Sequence, residues 1–438
     1  MPTDQNLAER GMAVGLRAIT RFASSDLIDR IGLRRPTERL LHGASKTTIR
    51  AGRTFAAAQR LTRPVRQPRA RRRTLFDLTP TDEQQMLSES VRDFALAKLR
   101  PAAQDADVAC STPTDLLAQS NELGLASVGV PQELGGALEQ RSAVTSVLMS
   151  EALAQGDMGI AVACLAPAAV CTAISLWGDA DQQATFLPEF VGEDAPAAAL
   201  SLLEPRPLFD PFALQTTARP ANGDYLLSGV KSLVPRAADS ELFVVAAHLD
   251  DRGPALFIVE PGASGITLEP EPAMGIRAAG THRVSFDGVR VPEAALLGGA
   301  DPDVFRECVQ LGRLGWCALA VGTAQAVLGY VKDYVRERTA FGEPIAHRQS
   351  VAFSVANIAI ELEGMRLATY RAAGRVDQGL NIDREVSLAR RLCAERGMAI
   401  GSDGVQLLGG HGYVKEHPVE RWYRDLRAAG VIEGALLV

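Results

Sequence analysis

The order of hydrophobic patterns along this chain of 438 residues constrains its fold more than any other feature. Ala-rich sequence with helical spacing runs from about 78 to 195, short strand-like runs fill about 198–295, and helical spacing returns after Pro292. Helices, then antiparallel strands, then helices indicate an α+β enzyme in three sections. We place an N-terminal extension and the three sections at 1–74, 75–197, 198–297 and 298–438.

Capping and turn residues indicate where individual elements begin and end. Either Thr79 or Thr81 can cap the first helix, whose opening turn holds Asp82 and Glu83. Apolar residues then recur at helical spacing until Pro101, where we expect the helix to end. The clearest strand-like runs are 225–228, 242–247 and 255–259. The longest helices are expected around 303–337, 348–376 and 382–407.

The net charge of −6 hides two unlike parts. Residues 1–74 carry 17 Lys and Arg against 5 Asp and Glu, whereas the remaining residues carry 29 against 47. An imperfect apolar stripe opposes arginines in a helix over about 12–27, and a Pro- and Arg-rich linker follows. Three interpretations stay open: a flexible tail, a peripheral anchor on anionic lipid, or a segment for targeting or nucleic-acid contact. The acidic body gives no reason to expect a nucleic-acid partner.

Composition excludes several other classes of protein. The chain is neither disordered, nor collagen-like, nor a disulfide scaffold. We expect no membrane-spanning helix, because we find no apolar run of about 18 residues, and no secretory signal. The six cysteines form no CxxC pair or zinc-like spacing, which favours buried thiols in a reducing compartment and no metal site. The expected location is the cytoplasm, with attachment at the inner membrane face under the anchor interpretation.

Three short motifs combine polar residues with glycines near the end of the chain. They are the loop 338–349 (RTAFGEPIAHRQ), the helix end 406–413 (QLLGGHGY), and Arg424-Asp425 followed by Glu433-Gly434. Taken singly, they are typical of a helix connection, a glycine C-cap and a surface carboxylate near a chain end. No GxGxxG or Walker glycine motif is present, so a nucleotide would bind by other means.

In this order and spacing, the motifs resemble the acyl-CoA dehydrogenase family, over about residues 78–438. The opening LTPTDEQQMLSESVRDFALAKLRPAA, the segment GLASVGVPQELGG and Met274-Gly275-Ile276-Arg277 add to the likeness. The resemblance implies an N-terminal helical domain, a central β-domain and a C-terminal four-helix domain. It also implies FAD and a homodimer or dimer of dimers, with the basic segment lying outside the likeness.

The family reaction is α,β-dehydrogenation of an acyl-CoA thioester, in which a carboxylate removes the α-proton and hydride leaves Cβ for flavin N5. The resemblance assigns the base to Glu433, whose N–H would also bond the thioester carbonyl, and substrate contacts to Arg313 and Gly434. In another branch of the family the base stands on a helix before an Arg, and that position is Gly312 here. The implied FAD-binding residues are Arg338, Phe341, Gln349, Gln406, Gly409 and Gly410, which would reach the cofactor of a neighbouring subunit.

The chain departs from the family pattern around the flavin. Leu203 and Phe209 stand where the family has Thr and Ser, and Pro235 replaces a Thr whose N–H would be a donor. At about 1 kcal/mol for each lost hydrogen bond, such changes weaken FAD binding. Two hypotheses follow: an acyl-CoA dehydrogenase that passes electrons to an electron-transfer flavoprotein, or a flavin-poor, partner-dependent subunit of a heteromeric complex. A third, an oxidase that uses oxygen directly, has no sequence signal.

Overall fold

A computed structural model describes residues 78–136 and 141–436, except for the side chain of Ala300. The interpretations of residues 1–74 therefore lie outside the described residues, and they stay predictions. In the described part, the order is helices, then a sheet, then helices, which confirms the α+β class.

The described residues of the first section form six α-helices. They are α1 Asp82–Phe94, α2 Arg100–Ala109, α3 Thr114–Glu122, α4 Ala143–Ala154, α5 Met158–Trp177 and α6 Ala180–Phe186. Thr81 rather than Thr79 is the N-cap of α1: its hydroxyl accepts from the N–H of Gln84 at 3.2 Å, and the Gln84 side chain accepts from the N–H of Thr81 at 3.1 Å. This reciprocal pair is a capping box.

The helical backbone does not end at Pro101, as the sequence predicted. A π-helical turn at Ala95–Leu99 joins α1 to α2, so that Pro101 lies in the first turn of α2. Proline is tolerated in a first helical turn, because its missing N–H has no helical acceptor there. The wider turn therefore accommodates a proline that would break a regular helix.

Helix α5 corrects the expectation about apolar runs. It has 20 residues without a charged side chain, and both it and the 36-residue helix α7 (Pro302–Glu337) are long and apolar enough to cross a membrane. Most of each helix's most apolar window is buried inside the protein. A core helix that packs on nearly all sides needs no polar face, which explains the composition of α5.

The central section is a single twisted sheet of eight strands. They are β1 Ala198–Ser201, β2 Thr217–Ala221, β3 Asp224–Val234, β4 Leu242–Leu249, β5 Gly253–Val259, β6 Ile266–Pro270, β7 His282–Pro292 and β8 Leu296–Leu297. The order is β6-β7-β3-β2-β4-β5-β8, and β1 lies beside β4. All three predicted runs lie in strands. Two pairings, β1 with β4 and β2 with β4, are parallel. Strand β3 runs antiparallel to β2, so it returns the chain and β4 can run in the direction of β2.

The last section has four α-helices, three of them long. They are α7, α8 Gln349–Val376, α9 Asp383–Leu407 and the short α10 Val419–Asp425, and the long three match the expected ranges closely. A two-residue hairpin, β9 Thr339–Ala340 and β10 Glu343–Pro344, connects α7 to α8. Its turn residues Phe341 and Gly342 have φ of +57° and +86°, as a tight hairpin turn requires. Helix α7 packs against α4, α8 and α9, so it connects the two helical sections.

Candidate active site

Glu433 lies in a strained turn after α10. Its φ is +61°, and that of Gly434 is +103°. A Cβ on Gly434 would lie 2.7 Å from Cδ of Pro211 and 3.2 Å from Nη2 of Arg313, so only glycine fits there. The Glu433 side chain is 8% exposed, and its Oε2 has no hydrogen-bond partner. A buried, unpaired carboxylate oxygen held by a strained backbone is typical of a functional group rather than a structural one.

Two buried arginines hold this turn by its main chain. Nε of Arg313 donates to the carbonyl oxygen of Glu433 at 3.1 Å. Nη2 of Arg390 donates to the carbonyl oxygens of Ile432, at 2.9 Å, and of Gly434. Three successive carbonyl groups are thus fixed from α7 and α9. The guanidinium groups bond the backbone and leave the Glu433 carboxyl free.

Burial governs the acidity of Glu433. Desolvation raises the pKa of its carboxyl to about 7, although the charges of Arg390 and Arg313 and a hydrogen bond from Trp316 lower it. Burial also affects the two arginines: it lowers the pKa of Arg313, and it lowers that of Arg390 to about 10. A carboxyl that titrates near neutrality is suited to accept a proton from a carbon acid.

Gly312 on α7 faces the same carboxyl. A Cβ there would lie 3.2 Å from Cδ and 3.3 Å from Oε1 of Glu433. The position where another branch of the family carries its base is therefore beside the carboxyl that Glu433 supplies. The two alternative positions for the base, Gly312 and Glu433, therefore lie side by side in the fold, and in this chain the carboxyl comes from Glu433.

A cavity of about 260 Å³ opens beside Glu433 between the sheet and helices α4, α5 and α7. Its lining is mostly apolar, and Glu433 is the one carboxylate among the described residues that line it. On the sheet side the wall includes Leu203, Ser232, Leu233 and Pro235. The base position predicted from the motif and two of the three positions that depart from the family pattern, Leu203 and Pro235, thus border one space.

The sheet side of this cavity offers few hydrogen-bond donors. Oε2 of Glu271 accepts from the hydroxyl of Ser232 at 2.8 Å and from the N–H of Leu233 at 2.9 Å, and Pro235 has no N–H. Phe209 is 3% exposed and packs in the core, with the guanidinium of Arg206 over its ring at 5.3 Å. The departures seen in the sequence therefore leave a wall that is apolar or already paired.

The other predicted cofactor residues lie on a different surface. Arg338, Gln406, Gly409 and Gly410 line a second depression of about 660 Å³ at the ends of α7 and α9. A Cβ on Gly409 or Gly410 would meet nothing within 4 Å, so this backbone is open to close approach. Phe341, 95% exposed, and Gln349 do not line it. The structure thus brings four of the six together and turns all six outward, away from Glu433.

Arg390 and Trp316 were missed by the sequence reasoning. Arg390 carries a charge, yet it is only 3% exposed, because it lies on the apolar face of α9 that Val386, Ala389 and Cys393 form. An arginine inside an apolar stripe at helical spacing is the signal that would have identified it. Trp316 lies one turn after Gly312 on the cavity face of α7, where the same spacing would have placed it.

Three family models together match nearly all of the described chain. They are the N-terminal, middle and C-terminal domains of acyl-CoA dehydrogenase, at residues 81–194, 199–289 and 303–436. An acyl-CoA dehydrogenase of Bacillus subtilis is 32% identical over 362 residues, which cover 81% of this chain and 95% of the relative.

Solved structures agree with the family models. The butyryl-CoA dehydrogenase of Megasphaera elsdenii superposes with a TM-score of 0.77 at 28% identity, covering 83% of this chain and 97% of the other. The structure of PigA with FAD and proline superposes with a TM-score of 0.76 at 25% identity, covering 82% and 96%. The chain described here belongs to the acyl-CoA dehydrogenase family, whose enzymes are FAD-dependent oxidoreductases that act on CH–CH groups.

Proposed function

We propose that this acyl-CoA dehydrogenase uses Glu433 to remove the α-proton of its thioester substrate. The observation that carries the proposal is the free Oε2 of Glu433, buried beside an apolar cavity in a turn fixed by two arginines. The Glu433 carboxylate takes the proton from Cα; bound FAD would take up the hydride from Cβ, which would leave a Cα=Cβ double bond.

The environment of Glu433 supports this assignment. An α-proton of a thioester is weakly acidic, so a base with a pKa near 7 accepts it more readily than an ordinary carboxylate, whose pKa is near 4.3. The negative charge that develops on the substrate carbonyl is stabilised by the N–H of Glu433 and by the nearby guanidinium of Arg313. The apolar walls exclude water, which strengthens each of these interactions.

The cavity is suited to the ring system of FAD, and the outer depression is suited to its pyrophosphate. The apolar wall of Leu203, Leu233 and Pro235 is suited to a flat ring system. The outward-facing Arg338 and the open backbone of Gly409 and Gly410 are suited to a pyrophosphate that a neighbouring subunit presents. Bound FAD supplies the hydride-accepting chemistry of the family, and we propose an electron-transfer flavoprotein as the next acceptor.

Replacement of the base tests the assignment. Glu433→Gln keeps the size of the side chain and removes its basicity, so we expect turnover of acyl-CoA to fall by at least a thousandfold with an artificial electron acceptor. The matched control is Glu293→Gln, an exposed carboxylate away from the cavity. Folding is monitored by circular dichroism and cofactor by absorbance near 450 nm. Unchanged turnover in Glu433→Gln would assign the base to another residue.

A second candidate function is favoured by the donor-poor sheet wall. With Pro235 in place and the donors of Ser232 and Leu233 held by Glu271, the chain binds flavin weakly alone and acts within a heteromeric complex. Purified protein that is colourless and takes up no added FAD would favour this candidate. Stoichiometric FAD in the isolated chain would favour independent catalysis.

A further inference from the structure

Glu204 and Lys231 form a buried ion pair next to the sheet wall of the cavity. Their side chains are 3% and 0% exposed, and Nζ of Lys231 lies 3.1 Å from Oε1 of Glu204. Both residues adjoin the cavity lining in the chain, since Glu204 follows Leu203 and Lys231 precedes Ser232. Burial of two charges costs about as much as their attraction returns, so the pair adds little to stability by itself, and what it holds in place matters more.

The Glu204 carboxylate closes the β1–β2 loop (residues 202–216). Its Oε1 accepts from the N–H of Thr216 at 2.8 Å, and its Oε2 accepts from the N–H of Gln215 at 2.9 Å. Burial alone would raise the pKa of the Glu204 carboxyl, but the charge of Lys231 and these two N–H groups lower it below its ordinary value. The carboxylate is therefore ionised at neutral pH, and it ties the two ends of the loop together through charged hydrogen bonds.

The middle of the β1–β2 loop packs against the turn that carries Glu433. The carbonyl oxygen of Phe209 accepts from the N–H of Ala435 at 2.9 Å. A Cβ on Gly434 would lie 2.7 Å from Cδ of Pro211 and 3.2 Å from the carbonyl oxygen of Phe209, so the two segments are in close contact. The two residues that follow Glu433 therefore contact the loop that Glu204 closes.

We propose that Glu204 and Lys231 are positioning residues for Glu433, which act on its turn through the β1–β2 loop. The two buried arginines hold the carbonyl groups of the turn from α7 and α9, whereas the loop holds the N–H of Ala435 from the sheet side. The turn is thus fixed from two directions. The effect of the pair on turnover rests on the proposed role of Glu433, but its hold on the turn does not.

Lys231 also acts on Glu433 through its charge. Burial raises the pKa of the Glu433 carboxyl, and the positive charges of Arg390, Arg313 and Lys231 oppose that shift. The other titratable groups that face Lys231 or Glu433 come from the β1–β2 loop and from α7: Glu204, Arg206 and Cys308. Loss of the Lys231 charge should therefore move the ionisation of Glu433 to higher pH.

Hydrogen exchange of backbone amides in the full-length protein tests the hold on the turn. In Lys231→Met the Glu204 carboxylate loses its counter-charge, and we expect exchange, followed by mass spectrometry, to become about tenfold faster in segments 205–216 and 432–436 alike. If Lys231→Met does not fold, the neutral variant Glu204→Gln/Lys231→Met, which leaves no unpaired charge, decides by the same comparison. Faster exchange in the loop alone, or in neither segment, would overturn the inference.

The pH profile of turnover separates positioning from a merely structural role. For Lys231→Met we expect kcat to fall about tenfold and the acid limb of kcat/KM to move to higher pH, whereas Lys231→Arg keeps the charge and should keep the limb in place. An acid limb that does not move in Lys231→Met would overturn the inference.

The matched control is Arg290→Met, which removes an exposed ion pair with Asp224 at 2.8 Å, between β7 and β3 and outside the cavity lining. It should change neither the exchange nor the pH profile. If the wild type turns over no acyl-CoA, the proposed function fails, and the exchange comparison still decides whether the pair of Glu204 and Lys231 holds the turn.

Discussion

Gly312 and Glu433 are 121 residues apart in the chain, yet a Cβ on Gly312 would lie 3.2 Å from Cδ of Glu433. The absence of a side chain at Gly312 leaves room for the carboxyl beside α7, while Nε of Arg313, the next residue, donates to the Glu433 carbonyl at 3.1 Å. Helix α7 therefore sets both the backbone and the side chain of the proposed base.

The variant Gly312→Ala should displace the carboxyl by a few tenths of an ångström. Because a misplacement of about 1 Å costs roughly a hundredfold in rate, we expect kcat to fall about tenfold, with little loss of folding stability. Steady-state kinetics and thermal unfolding measure the two effects. Gly329→Ala in the same helix, where a Cβ meets nothing, should leave kcat unchanged. An unaltered kcat in Gly312→Ala would show that this contact does not position the base.

Arg390 should be a positioning residue for the turn that carries Glu433. Arg390→Met removes the bonds to the carbonyls of Ile432 and Gly434, and we expect kcat to fall about a hundredfold. It also removes a charge that lowers the Glu433 pKa, so the acid limb of the kcat/KM profile should move to higher pH. Arg390→Lys keeps the charge and should keep the limb near its original pH.

The control for Arg390 is Arg391→Met, because the Arg391 side chain is 75% exposed and pairs with Glu395 at 3.0 Å. It should change neither kcat nor the pH profile. A merely structural role for Arg390 would lower activity in Arg390→Met without moving the acid limb.

The fold could be predicted wherever one period persists over many residues. The helical spacing over 303–337 became α7 at Pro302–Glu337, and the apolar run 242–247 lies within β4 at Leu242–Leu249. Capping and turn residues predicted the ends of the helices less well. Thr79 and Thr81 were equivalent as sequence, and the capping box at Thr81 depends on where Gln84 points. The turn before Pro101 needed a change of helix type that no propensity encodes.

The candidate site was predicted only where a motif marks it. Glu433 follows from its spacing after Arg424-Asp425, but the bonds of Arg390 to backbone carbonyls more than 40 residues away leave no spacing signal. The contacts of Glu271 with Ser232 and Leu233 join a loop to the end of strand β3, 38 residues or more away in the chain. Such contacts arise from tertiary packing, so the closed sheet wall was visible in the structure alone.

Under the anchor interpretation, the basic extension should bring the enzyme to anionic membranes. Residues 1–74 carry 17 basic and 5 acidic residues, and juxtamembrane Lys or Arg contributes about 1 kcal/mol each near an anionic surface. We expect full-length protein to sediment with vesicles containing phosphatidylserine and to be released at high salt. A version lacking residues 1–74 should stay in solution with its activity intact. Equal sedimentation of the two proteins would remove the anchor hypothesis.

Activity and stability should depend on pH in opposite directions through Glu433. Its carboxyl must be ionised to act, and its pKa is raised to about 7 by burial, so kcat/KM should fall tenfold per pH unit below pH 7.

The stability prediction follows from the unfolded chain, in which the Glu433 carboxyl has a pKa near 4.3. Between pH 4.3 and 7 the native state therefore holds the extra proton, and the free energy of unfolding falls as pH rises. Above pH 7 the native state buries a charge that costs up to about 4 kcal/mol. Glu433→Gln should therefore be more stable than the wild type at pH 8 and nearly equal to it at pH 4, as measured by urea unfolding at both values. A constant difference in stability across this range would mean that the carboxyl titrates normally, and a kcat/KM that is flat from pH 5 to 8 would contradict its role as the base.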